Sequence, residues 1–282
     1  MPRKIIKDVT SDIEREFYAS HNIDFYNIKI AGPADGESAF KESQDISVSD
    51  SFFELRYPFW HNTRLAAENC VMTSTCRAPF WYDKEMRIKD VKCDGVKAFR
   101  ECQDIALVKS TFISEEIFWR CTNIIVHDSE IMGFYAFFES KNIRINNLKF
   151  KGKYSFQYVE DMEIKNSELD TKDAFWHTKN VTVKDSVIIG EYLGWYSENL
   201  TLINCRIKGT QPLCYCKNLH LVDCTFEDCD LAFEYSEVNG NIKGDIVSIK
   251  NPLCGELIMK NHPTMIIDEN DRSEGKFHLI IK

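Results

Sequence analysis

The sequence predicts an all-β fold, a parallel β-helix wound from a single chain, and three observations predict it. First, segments opening on Asn or Asp recur at a fixed step: Asn123, Asn142, Asp161, Asn180, Asn199 and Asn218 are each 19 residues apart. A fixed period of this length marks stacked repeat units. Second, each unit begins apolar-x-apolar, as in "NVTVKDS" and "NLTLINC". That is a two-residue period rich in Val, Ile, Leu and Thr, the pattern of a half-buried strand. Third, the sixth position of the unit is Asn or Asp in 10 of 11 coils, from Asn27 to Asp223, with Lys109 the exception. These side chains best tolerate the left-handed backbone of a tight corner.

Taken in chain order, residues 1–21 are expected to form an N-terminal cap and a partial coil ("EFYASH", 16–21). Residues 22–236 hold about 11 regular coils of ~19 residues. They open at Asn22, Asp45, Arg64, Glu85 and Asp104, then continue through the series above. The step from Asn22 is longer because of an inserted "GPADG", 32–36. Position 7 is mostly small (Ser51, Cys70, Ser110, Ser129, Ser167, Ser186, Cys205, Cys224), as the inside of a corner requires. After Ser236 the period fails, and Gly244, Pro252, Gly255, Pro263 and Gly275 interrupt the apolar runs. Residues 237–282 are expected to be irregular closing coils and a C-terminal cap, since the open end of a stack invites aggregation. No linker interrupts the chain, so 1–282 reads as a single domain.

Composition narrows the function. The 282 residues carry a net charge of −9 and no basic stripe, which removes the electrostatic footprint of nucleic-acid binding. No apolar run is long enough to span a membrane, and the charged N-terminus lacks a signal-peptide core. The expected location is cytoplasmic. Eleven Cys without a secretion signal point to free thiols rather than a disulfide framework. No cofactor is expected.

The runs "GESAFKES" (36–43), "DAFWHTKNVTVKDSVIIGEYLGWYSENLTLINC" (173–205), "LAFEYS" (231–236) and "KNPLCG" (250–255) carry a resemblance. The chain resembles the right-handed parallel β-helix proteins of the pectin-lyase-like class. More narrowly, it resembles an uncharacterised bacterial family labelled as a domain of unknown function. The resemblance covers nearly the whole chain and implies a right-handed solenoid, but no reaction.

Two neighbouring positions are aromatic. Position 15 reads Phe17, Phe40, Phe59, Phe80, Phe99, Phe118, Phe137, Phe156, Phe175, Gly194, Leu213, Ala232 and is never polar. Position 16 reads Tyr18, Lys41, Trp60, Trp81, Arg100, Trp119, Phe138, Gln157, Trp176, Trp195, Cys214, Phe233. Lys41 and Arg100 would be unpaired charges in a narrow core. Position 15 is therefore expected inside and position 16 outside. Position 17 (His61, Tyr82, Glu101, Arg120, Glu139, Tyr158, His177, Tyr196, Tyr215, Glu234) is polar, although strict alternation would turn it inward. A bulge or corner there would resolve the conflict.

With coils about 4.8 Å apart, the outward strip would be roughly 34 Å long, a shape suited to an extended ligand. Flat aromatics beside polar groups complement the apolar faces and hydroxyls of sugars. The candidate substrate-binding residues are Trp60, Trp81, Trp119, Trp176, Trp195, Tyr196, Tyr215 and Glu234, and the candidate partner is an oligosaccharide. The alternative is a non-enzymatic structural or interaction module that forms a homodimer through the same strip. If the protein is an enzyme, it is a polysaccharide lyase or glycoside hydrolase, and the candidates are Glu139, Arg120, His177 and Tyr158. A His or Tyr beside Arg could take a proton next to a uronate carboxylate. Glu101 and Glu139 would lie ~10 Å apart, near the upper edge of an inverting pair, with Arg120 between them. Neither the clustered Asp of pectate lyases nor the Gly-His-Gly of polygalacturonases is present, so the fold analogy transfers no mechanism. "CYC" (Cys214, Cys216) with Cys229 lacks paired zinc spacing, and no metal site is expected.

Overall fold

In the computed structural model, which describes residues 3–282, each rung lies in parallel register on the next. Thr63, Leu65 and Ala67 sit beside Lys84, Met86 and Ile88, and those beside Gln103, Ile105 and Leu107. The described residues are all β, without a helix, and wind through about 15 turns of a parallel β-solenoid. The chain divides into two compact units, Met1–Ile143 and Arg144–Lys282. In the first, Lys4–Ser11 lies against His21–Ile30, followed by Gln44–Ser49, Thr63–Glu68, Lys84–Lys89, Gln103–Val108 and Thr122–Phe134. In the second the rungs are Glu160–Lys165, Lys179–Lys184, Glu198–Ile203, Leu219–Glu227, Val238–Gly244, Gly255–Met259 and Phe277–Ile281.

The structure therefore holds more turns than the regular repeat suggested. Lys4–Ser11 adds one before Asn22, and the last three rungs come after Ser236. The repeat hides there because the step shortens from Gly240 to Leu257 and lengthens from Leu257 to Leu279. Of the segment 1–21 read as a cap, residues 1 and 2 lie outside the described residues.

Corners are set by side chains as well as backbone. Position 6 is left-handed throughout, as at Asn69 (φ 50°) and Asn204 (φ 50°), and so is position 1, as at Asn180 (φ 55°). Amides at position 1 form ladders with a fixed polarity. Asn142 donates to Asn123 (2.7 Å) and Asn123 to Asp104 (2.7 Å). In the second unit Asn218, Asn199 and Asn180 donate in turn, ending on Asp161 (2.8, 2.9 and 2.9 Å). Each ladder ends on Asp because a carboxylate only accepts.

Position 7 does more than fill space. The Ser110 hydroxyl accepts from the Val91 backbone N–H (3.1 Å), Ser129 from Ser110 (3.2 Å) and Ser186 from Ser167 (3.1 Å). Position 18 repeats the device inside the opposite corner: Ser140 accepts from Cys121 (2.9 Å) and Ser236 from Cys216 (2.9 Å). Asp83 holds that place in its coil, accepting from the Asn62 N–H (2.6 Å), and burial pushes its carboxyl well above the usual carboxylate range. These bonds satisfy N–H groups that the corners remove from the rung ladders.

The core is a column of phenylalanines at position 15. In the first unit Phe59, Phe80, Phe99, Phe118 and Phe137 are fully buried, with ring centroids 5.3, 4.6, 4.6 and 4.7 Å apart. In the second, Phe156 and Phe175 stack at 5.0 Å. The column then changes at Gly194, whose φ is +72° and whose Cβ would lie 2.8 Å from the Leu213 side chain.

One expectation is overturned. Phe233 is fully buried, not outward. The coil after Asn218 carries one extra residue beyond Glu227, which still pairs with Lys208. The insertion moves every later residue of that coil by one position: Phe233 (φ 63°) repeats the geometry of Leu213 (φ 61°), and Tyr235 lies next to Tyr215, ring centroids 5.8 Å apart and tilted by 43°. Phe233, not Ala232, thus occupies position 15, Glu234 falls at position 16, and Tyr235 takes position 17.

Candidate functional site

The backbone around position 15 shows why neighbours share a side. Asp173, Phe175 and His177 are all left-handed (φ 54°, 60° and 55°). A left-handed residue breaks the strand's two-residue alternation. Ala174 and Phe175 both point inward, while Trp176 and His177 both point outward. The conflict at position 17 is a local turn rather than a strand.

The tryptophans of position 16 are half-buried, not open, and Cys214 in the same column is fully buried rather than outward. The indole N–H of Trp119 donates to the Tyr135 carbonyl of the next coil (3.0 Å). Trp176 does the same to Tyr192 (2.6 Å), and Trp195 to Gln211 (2.8 Å). Gln157 copies the bond with its amide, to Asp173 (2.9 Å), which accounts for a Gln in an aromatic column. The cations in the column sit on ring faces. Lys41 lies 4.8 Å from the Trp60 centroid; Arg100 lies 5.7 Å from Trp81 and 4.8 Å from Trp119. Trp60 and Trp81 meet edge to face at 5.8 Å. Trp60, Trp81 and Trp119 spend their faces on neighbours within the first unit.

Arg120 bonds Glu139 through Nε (2.7 Å), also in the first unit. His61 stacks on Tyr82 at 4.8 Å. His177 and Tyr158, the other two catalytic candidates, belong to the second unit. Glu234 pairs with Lys250 (2.8 Å) instead of joining the ring row.

The second unit carries a ladder of rings at position 17. Tyr158 and His177 stack at 4.9 Å (6° between planes), His177 and Tyr196 at 4.9 Å (7°), Tyr196 and Tyr215 at 4.7 Å (11°). Trp176 and Trp195 run beside it, stacked at 5.4 Å. Every inner ring of the ladder has both faces covered by neighbours. What reaches solvent is an edge per coil, a phenol hydroxyl or an imidazole nitrogen. Tyr158 and Tyr196 are each 46% exposed. Desolvation lowers the His177 pKa below its ordinary value, so the imidazole is neutral at pH 7 and both donates and accepts. The ladder closes at Tyr235, whose hydroxyl donates to the Asn270 carbonyl (2.9 Å) and whose ring lies under the Arg272 guanidinium (4.5 Å). Sequence reading missed Tyr235 because of the inserted residue, and missed Arg272 because it lies outside the repeat.

All eleven cysteines are free thiols, ten of them buried. Among the described residues no group of three or more His, Cys, Asp or Glu is placed to hold a metal ion.

These features define a parallel β-helix bearing an outward ladder of hydrogen-bonding ring edges. The chain belongs to the family described as "Protein of unknown function (DUF3737)", whose model matches residues 4–280. Among solved structures it is similar to PfbA, a surface adhesin of Streptococcus pneumoniae, with 8% identity and a TM-score of 0.38, covering 94% of this chain and 83% of that one. It is also similar to the A-module of the Azotobacter vinelandii mannuronan C-5 epimerase, with 10% identity and a TM-score of 0.30, covering 100% and 90%. A search of curated proteins found no match.

Proposed function

We propose that the protein recognises an extended carbohydrate along the position-17 ladder of its second unit. The observation that carries this reading is the row Tyr158, His177, Tyr196 and Tyr215, one outward polar edge per coil at ring spacings of 4.7 to 4.9 Å. That spacing is about the advance of one pyranose ring along an extended chain. The contact is edge-on: hydroxyl and imidazole groups meet sugar hydroxyls, while the ring faces hold one another in place. Preformed stacking lowers the ordering cost of binding.

The test is a calorimetric and tryptophan-fluorescence titration of the full chain against a panel of oligosaccharides. Saturable binding that is lost in Tyr196→Ala supports the reading. No binding to any sugar, together with a dimer in solution and blue-shifted emission, favours the non-enzymatic module that associates through the strip. Consumption of a bound oligosaccharide would add processing to recognition.

A further inference from the structure

Two residues beyond each ladder ring, on the same outer side, lies position 19. In the second unit it reads Glu160, Lys179, Glu198, Lys217 and, after the one-residue shift, Glu237. The sign alternates at every coil. The register makes these true neighbours: Glu160 lies beside Lys179, Lys179 beside Glu198, and Glu198 beside Lys217. Alternation of this kind commonly serves ion pairs between rungs. Three members of the row do not use it so: among the described residues, no ion pair within 4.0 Å joins Lys179, Glu198 and Lys217 to one another, and all three are exposed. Their donors and acceptors are available to a ligand lying on the ladder.

The charge row repeats every two coils, about 10 Å at the ordinary rung spacing, while the ring row repeats every coil. A ligand that matches both has one unit per coil and a two-unit repeat. A two-fold ribbon of 1,4-diequatorially linked pyranoses has this form, because each ring is turned over relative to the last. Alternate rings then meet an ammonium donor and a carboxylate acceptor, each complementary to neutral hydroxyls. A polyuronate would set a carboxylate against Glu198, a like-charge contact that selects against it. A coiled α-linked glucan would leave the row after a few units.

Resting on the carbohydrate reading above, we infer that the ligand class is a neutral two-fold ribbon glycan, seated one ring per coil with its disaccharide repeat in phase with Lys179, Glu198 and Lys217. The test uses the full chain and calorimetry with neutral β-1,4-linked hexasaccharides of glucose and of mannose, a uronate hexamer and maltohexaose. The wild type binds a neutral ribbon best, and added salt changes that affinity little. Glu198→Lys, which makes three lysines in a row, weakens ribbon binding about tenfold and strengthens uronate binding. Glu198→Gln keeps an acceptor and holds ribbon binding within about threefold. Circular dichroism checks that both variants keep the rungs. Tighter binding of uronate than of either ribbon by the wild type, or unchanged ribbon binding in Glu198→Lys, overturns the inference. If uronate or maltohexaose binds best and Tyr196→Ala abolishes it, the inference falls and the ladder reading stands. If no saccharide binds, both fall.

Discussion

Truncating Phe118 to Ala tests the source of the first unit's stability. The ring is fully buried between Phe99 at 4.6 Å and Phe137 at 4.7 Å, nearly parallel to both. Removing a buried Phe costs about 3–5 kcal/mol, and the spread reflects how far the site can collapse. Here collapse is limited, because rungs bonded at a spacing of about 4.8 Å hold the neighbouring rings apart. The expected loss is about 4 kcal/mol. Phe118 also has a left-handed backbone, φ 57°. An L-residue spends about 1–2 kcal/mol there, and glycine does not. Phe118→Gly is therefore expected to be more stable than Phe118→Ala by about 1 kcal/mol, the reverse of the usual order within a strand. Urea unfolding followed by far-ultraviolet circular dichroism and by Trp119 fluorescence reads both differences. A loss below about 1 kcal/mol in the Ala variant, or a Gly variant weaker than the Ala variant, would refute the reasoning.

Arg100→Met removes a cation between Trp81 and Trp119 and should cost about 1 kcal/mol, with tryptophan emission shifted to the red as water reaches the rings. Asn180→Asp keeps the left-handed corner but cannot donate to Asp161, and it sets two carboxylates side by side. It should destabilise the second unit by about 1 kcal/mol, measured by thermal unfolding at low and high salt. The His177 pKa is lowered in the fold by desolvation. The unfolded chain therefore takes the proton first as pH falls below about 6.5. The stability held above that pH is then lost progressively until the folded pKa is passed. Proton titration of the imidazole by NMR should find its midpoint below that of a free histidine, and a midpoint at or above it would contradict the desolvation of the ring between its stacked neighbours.

Much of the fold could be read from residue types with one physical use. Asn and Asp at position 6 suit a left-handed corner and little else, and an unbroken Phe column suits only a core. The ends were harder to read because their rung lengths vary, so period alone could not find Gly255–Met259 or Phe277–Ile281. Phe233 was misplaced because one inserted residue after Glu227 exchanges neighbours without changing the apolar pattern. The rings of the candidate site were legible as residues but not as surfaces. Sequence spacing places Trp81, Arg100 and Trp119 in one column; it does not tell that the guanidinium lies on the indole faces. Nor does it tell that Tyr196 turns an edge outward while His177 and Tyr215 cover its faces.

The edge-on ladder is tested most directly by comparing the wild type and Tyr196→Phe in calorimetric titration with an oligosaccharide that binds. The substitution keeps the ring and both stacking contacts and removes only the outward hydroxyl. Recognition by edges predicts a roughly tenfold weaker Kd with unchanged folding, the scale of one lost hydrogen bond. Equal or tighter binding by Tyr196→Phe would mean that sugars meet ring faces or bind elsewhere, and would contradict the account.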